Sequence, residues 1–262
     1  MTSYTQLLDA MQRGVGGRID ARIPEDWMQG RTTYGGLTAA LCLEAAIDLA
    51  PDLPVRAAQV AFVGPSGGDV VVSPKLLRRG KNTAFVSVDL VSEAGIAAQA
   101  IFTFGTPRQS TLSFRHLAAP QVPGPDDLPS FFKSDRRPHF SRNFNVKLAA
   151  GPAPVSGAEA ADICLWLRHK DEAVAANATT LLSLADVPPP AAMSMLTAPA
   201  PLSSMTWMAE FLTETITTDG GWWLSRAIAE TADNGYSSQA MTLWNRAGEP
   251  VMVGRQTVAI FG

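Results

Sequence analysis

The sequence has little cysteine, little histidine and no surplus of positive charge, and each shortage removes a class of chemistry. Its two cysteines, Cys42 and Cys164, lie inside apolar runs without CxxC or Cys/His spacing. They read as small core residues in a reducing compartment, not as a metal or redox site. The three histidines, His116, His139 and His169, fall at no metal-ligand spacing. With no GxSxG elbow beside them, they are poor members of a serine-type triad. A formal net charge of −3, with no Lys or Arg cluster long enough to track a phosphate backbone, argues against nucleic acid as a partner. No window reaches the roughly 20 apolar residues of a membrane span, and the first residues carry no basic stretch followed by a long apolar one. A soluble, cytoplasmic protein is the expectation.

What the chain does have is apolar bulk: 262 residues, 46% hydrophobic and 17% charged, enough for one large domain or two small ones. The stretch from Thr33 to Leu49 reads as a long, almost wholly apolar helix that opens at Gly35-Gly36 and stops before Pro51. Glycines at a helix start let another molecule approach amide N–H groups that lack internal partners, at the positive end of the dipole. Such a start can hold a developing oxyanion. Alternatively the two glycines only permit a tight entry turn.

Around this helix the first half reads as a short amphipathic helix over 2–13, a strand over 18–23, the long helix, and strands over 55–63, 68–77, 84–92 and 96–104. Residues 106–143 change texture, with scattered prolines among polar residues, and read as a link between domains anchored by Phe131, Phe132 and Phe140. The second half repeats the first: strands over 144–149 and 161–169, a helix over 172–185, then strands over 202–212, 222–230, 236–244 and 250–261. Residues 98–105 also align without gaps on 255–262, which sets Gln99 opposite Gln256. Self-similarity of this period points to one supersecondary unit used twice, as a pseudo-dimer whose sheets join edge to edge.

Tyr34-Gly35-Gly36 opening a long helix, the paired halves, Trp207 in the strand after the second helix and Gly248 eight residues before Gln256 resemble the double-hotdog acyl-CoA thioesterases of type II and the broader thioesterase-like superfamily. The resemblance spans nearly the whole chain apart from the linker. It implies an α+β protein of two tandem hotdog folds, each a long helix wrapped by an antiparallel sheet, fused as a pseudo-dimer: 1–105, a Pro-rich linker at 106–143, and 144–262. It also implies hydrolysis of a fatty or other apolar acyl-CoA to free acid and CoA by water, with no metal or other cofactor. Homo-oligomers of such units are compatible with it.

In that family an Asp on a second-half strand, a Thr or Ser near the next hairpin and a Gln on the last strand activate the water. Carried over residue by residue, the Gln is Gln256 and the hydroxyl falls at or beside Thr231. The Asp position falls on Ser203, with Ser204 next to it. A serine orients water but is a negligible base near neutral pH, so help worth roughly 10²–10⁴ in rate is expected to be lost. Asp233 is either a substitute or a plain turn aspartate before Asn234-Gly235. Gly36, flanked by Tyr34 and Gly35, would polarise the thioester carbonyl. Arg79 and Lys81, with Arg78, either reach the phosphates of CoA or form a solvated hairpin tip. Trp207, Trp222, Trp223, Trp244 and the nearby methionines are core or the lining of an acyl tunnel. The alternatives to a working enzyme are a relative that binds acyl-CoA or another apolar ligand without turnover, and a structural pseudo-dimer.

Overall fold

The helix that opens at Gly35 is buried on almost every side in the computed structural model, which describes residues 1–133 and 137–261. Part of the expected linker, at 134–136, and the last aligned residue, Gly262, lie outside the described residues. In chain order the elements are α1 (Tyr4–Asp9), β1 (Gln12–Arg13), β2 (Ile19–Ile23), β3 (Met28–Gln29), β4 (Thr32–Thr33), α2 (Gly35–Ile47), β5 (Val55–Phe62), β6 (Gly68–Arg79), β7 (Thr83–Ser92) and β8 (Gly95–Gly105). The second half supplies β9 (Phe144–Ala150), β10 (Asp162–His169), α3 (Ala178–Ala185), β11 (Leu202–Phe211), β12 (Trp223–Asp233), β13 (Tyr236–Asn245) and β14 (Pro250–Ile260).

One 12-stranded sheet runs β1-β2-β6-β7-β8-β5-β11-β14-β13-β12-β10-β9. Its middle is the antiparallel seam from Ala57↔Glu210 to Ala61↔Thr206, where the two halves meet and cover each other's exposed edge. Alternation along the strands sends Ala58, Val60, Val86, Val88, Ala100 and Phe102 inward, into the main core beside α2, while Gln59, Ser87 and Gln99 face out. Two helices inside one curved sheet explain why α2 tolerates so little polar surface. The tandem-hotdog α+β architecture expected from the resemblance is the architecture observed.

Local differences have local causes. The N-terminal helix is shorter than 2–13, because a capping box at Ser3 and Gln6 starts it and the chain then turns into the edge pair Gln12↔Asp20. The second-half helix covers only Ala178–Ala185, not 172–185. Asp171 is committed to the Thr5 amide and hydroxyl and to the Ala173 amide, so the chain turns there. Asn177 then starts the helix by capping Thr180. The gapless match of Gln99 with Gln256 crosses sheet faces: Gln99 is exposed and donates to Asp89 Oδ1 at 2.9 Å, whereas Gln256 is buried. The two glutamines are therefore not counterparts, since a register off by one residue inverts every side chain.

Residues 117–128 of the proline-rich segment lie against β9, β10 and β13. Indole N–H groups of Trp166 and Trp244 donate to Pro123 O at 2.9 Å and Leu117 O at 2.8 Å, and Trp222 packs with them in a second small core. Phe140 is buried and stacks on Tyr34, with centroids 4.3 Å apart, and Phe131 and Phe132 pack against the main core. The tryptophans singled out above are thus core residues, and none lines the cavity described next.

Candidate active site

Where α2 begins, α3 ends. The approach is close enough that a Cβ on Gly36 would sit 2.3 Å from Ser183 O, and one on Gly35 would sit 2.6 Å from a carboxylate oxygen of Asp186. The paired glycines are required by packing between the two halves, in addition to any need of a ligand. Tyr34, the residue before the helix, is buried and donates its hydroxyl to Ser183 O at 3.2 Å, fixing the α2 start against α3.

Asp186 follows the last residue of α3 and is half-buried, with one side open to a cavity of about 1320 Å³. Gln256 Nε2 donates to its Oδ1 at 2.8 Å, and the Gly36 amide donates to it as well. Burial pushes the carboxyl up to about 7, against the opposing pull of Gln256 and the Gly36 amide. Gln256 is itself held, since Gln239 Nε2 donates to its Oε1 at 2.7 Å. A carboxyl that exchanges its proton near neutrality, inside a largely apolar cavity and beside the N-terminus of a buried helix, is arranged for proton transfer to and from water.

The cavity brings together Gly35, Asp186, Ser203, Ser204 and Gln256. Its walls are mostly apolar, with Phe62, Phe131, Phe132, Phe140, Leu148 and Pro188 to Pro190, and the cations among its described lining residues are Arg31, Lys133 and Arg137. Thr231 is not among the lining residues; it is exposed near the β12–β13 turn, paired with Ser238. Asp233 sits at that turn, bonded to Asn234. Arg79 and Lys81 stand on the β6–β7 hairpin away from the cavity lining, and Arg79 is engaged by Asp52 at 2.6 Å.

Asp186 is inconspicuous in the sequence because it follows an apolar helix and precedes Pro188-Pro189-Pro190, where it passes for a helix end. The usable signal was a single carboxylate with apolar neighbours on both sides, in Leu184-Ala185-Asp186-Val187. Burying such a group is costly unless partners or chemistry hold it there.

His169 and Ser183 form a second close pair, with Nε2 3.1 Å from Oγ. Burial pulls the imidazole down to about 4, and Ser183 is fully buried and donates to Thr180 O at 2.9 Å, so the pair is a packing feature. The thiols of Cys42 and Cys164 are pushed up to about 12 by burial, which makes both inert. Among the described residues no group of His, Cys, Asp and Glu is placed to hold a metal.

Comparison with known proteins follows the same division of the chain. Residues 23–105 match the family model described as the acyl-CoA thioesterase N-terminal domain, and residues 118–260 match the acyl-CoA thioesterase C-terminal domain. No curated protein matches the sequence. Among solved structures, a conserved protein of unknown function with a hot dog fold from Alicyclobacillus acidocaldarius superposes with a TM-score of 0.88 at 24% identity, covering 100% of this chain and 99% of that one. The TesB protein of Mycobacterium avium subspecies paratuberculosis gives 0.82 at 17% identity, with 99% and 100% covered. Acyl-CoA thioesterase II TesB2 from Mycobacterium marinum gives 0.76 at 17%, with 96% of each chain covered. At these identities the structures speak to the fold; the two matched domain models show that the chain belongs to the acyl-CoA thioesterase family.

Proposed function

We propose that the protein hydrolyses an apolar acyl-CoA to the free acid and CoA, with Asp186 as general base. The observation that carries this reading is a carboxyl poised at about 7, held by Gln256 and the Gly36 amide on the wall of a large apolar cavity. Ionised Asp186 takes a proton from water as the water oxygen attacks the thioester carbonyl. The tetrahedral oxyanion forms beside the positive end of α2, where Gly35 lines the cavity, and collapses by breaking the C–S bond. The proton held on Asp186 then passes to the departing sulfur. Ser203 and Ser204 orient the water in the place expected for Thr231.

Phe131, Phe132, Phe140 and Leu148 suit an apolar acyl chain, and Arg31, Lys133 and Arg137 suit the phosphates of the carrier, a role expected of Arg79 and Lys81 from sequence. The rival reading, binding without turnover, drew on a site lacking a carboxylate; Asp186 removes that ground. The test is to incubate the protein with acyl-CoAs of several chain lengths and a thiol reagent. Release of CoA with at least one of them is expected, and no release above buffer for any of them would overturn the proposal.

A further inference from the structure

We infer that Gln239, on β13, is a positioning residue that sets the direction of the Gln256 amide, so that Gln256 presents N–H and not C=O to Asp186. The inference rests on the role given to Asp186 above. A glutamine amide has nearly the same shape either way round, and only a partner that cannot reverse decides its orientation. Here that partner is the backbone N–H of Ala191, the first residue of a short 3₁₀ turn. It donates to Gln239 Oε1 at 2.9 Å, which leaves Gln239 Nε2 to donate to Gln256 Oε1 at 2.7 Å. Gln256 Nε2 is then the end that meets Asp186 Oδ1, at 2.8 Å. The polarity of the chain starts at a backbone group and ends at the carboxylate.

Gln239 and Gln256 are directly opposed across the β13–β14 pair, and both are buried. Buried amides persist where their hydrogen bonds are made, and these are made only in this one direction. A reversed Gln256 would set a carbonyl oxygen against Asp186, an arrangement satisfied only when Asp186 keeps its proton. Gln239 thereby favours the ionised base, against the burial that opposes it. The same residue fastens the turn after Pro188-Pro189-Pro190, which forms part of the cavity wall.

Among the described residues the groups facing Asp186 are few. The start of α2 brings the Gly36 amide and the buried phenol of Tyr34, β5 brings Phe62 beside Gly35, and β14 brings Gln256. Behind Ser183 of α3 stands neutral His169, and Arg31, Lys133 and Arg137 line the same cavity. Of these groups only Gln256 is bonded to Gln239, so a change at Gln239 reaches Asp186 through the Gln256 amide.

Two variants test the inference. Gln239→Met keeps the length and removes both polar ends. Gln239→Glu still accepts from Ala191, but its carboxylate accepts from Gln256 too and turns that amide round. The titration of Asp186 is followed by carboxylate infrared difference spectra, assigned with Asp186→Asn, alongside the pH profile of acyl-CoA hydrolysis. In Gln239→Met the midpoint is expected to rise by about half a pH unit or more, the scale of one net amide hydrogen bond. In Gln239→Glu it should rise further, with kcat at pH 7 reduced and KM unchanged. A folded variant of either kind whose Asp186 midpoint matches the parent protein would overturn the inference. The infrared titration needs no turnover, so it decides the matter even if no acyl-CoA is hydrolysed, an outcome that would count against the proposed function alone.

Discussion

A carboxyl pushed up to about 7 carries its negative charge in only part of the molecules at neutral pH, and under the proposed mechanism both rate and stability should follow that fraction. If Asp186 is the base, kcat/KM for an acyl-CoA should rise with pH and level off above a midpoint near 7, and the rising limb should vanish in Asp186→Asn. The same shift predicts a stability effect of definite sign. Between the ordinary carboxyl value of 3.8 and about 7, the folded state holds a proton that the unfolded chain has released. The contribution of Asp186 to stability is therefore full below the unfolded value and declines as pH rises through this window. Asp186→Asn should accordingly gain in Tm relative to the parent protein on going from pH 4 to pH 8, and a gap independent of pH would contradict the buried-carboxyl reading. Gln256 was legible in the sequence because a glutamine on an apolar strand face needs a partner. That partner, Asp186, was not legible, because it comes from 70 residues away and depends on how two helix ends meet.

At the scale of elements, the central fact is the close meeting of the α2 start and the α3 end. Gly36→Ala would drive a methyl group into Ser183 O, so α2 must shift or the variant loses about 1–3 kcal/mol, measurable by urea denaturation. Activity should fall with it, since the displaced amide is a partner of Asp186. Asn177→Ala removes the cap of α3 and should cost about 1 kcal/mol while leaving kcat nearly unchanged, because the cap is at the opposite end of the helix from Asp186. The position of α2 could be read from an apolar run bounded by Gly35 and Pro51. The start of α3 could not, because residues 172–177 carry helix-compatible apolar spacing while Asp171 and Asn177 divert the backbone through bonds that include a long-range one to Thr5. Thr231 stands off the cavity for a related reason: the length of a hairpin decides whether a strand-end residue reaches a site, and this one ends exposed.

Over the whole molecule, the two halves share one sheet through β5 and β11 and one main core that includes residues of both. The site is divided in the same way: Gly35 and Gly36 come from the first half, Asp186, Ser203 and Gln256 from the second. Heating should therefore give a single cooperative transition in calorimetry, and two resolved transitions would contradict a shared core. The repeat of the two halves was readable because strand and turn spacing survive where residue identity does not, as the mismatched Gln99 shows. Whether a charge from the second half acts beside a helix start from the first is read out by CoA release from one acyl-CoA substrate by the parent protein and by Asp186→Asn at pH 8. Release by the parent protein and a fall of roughly 10²–10⁴ in the variant are expected, with the fold retained. Equal rates in the two proteins would contradict it.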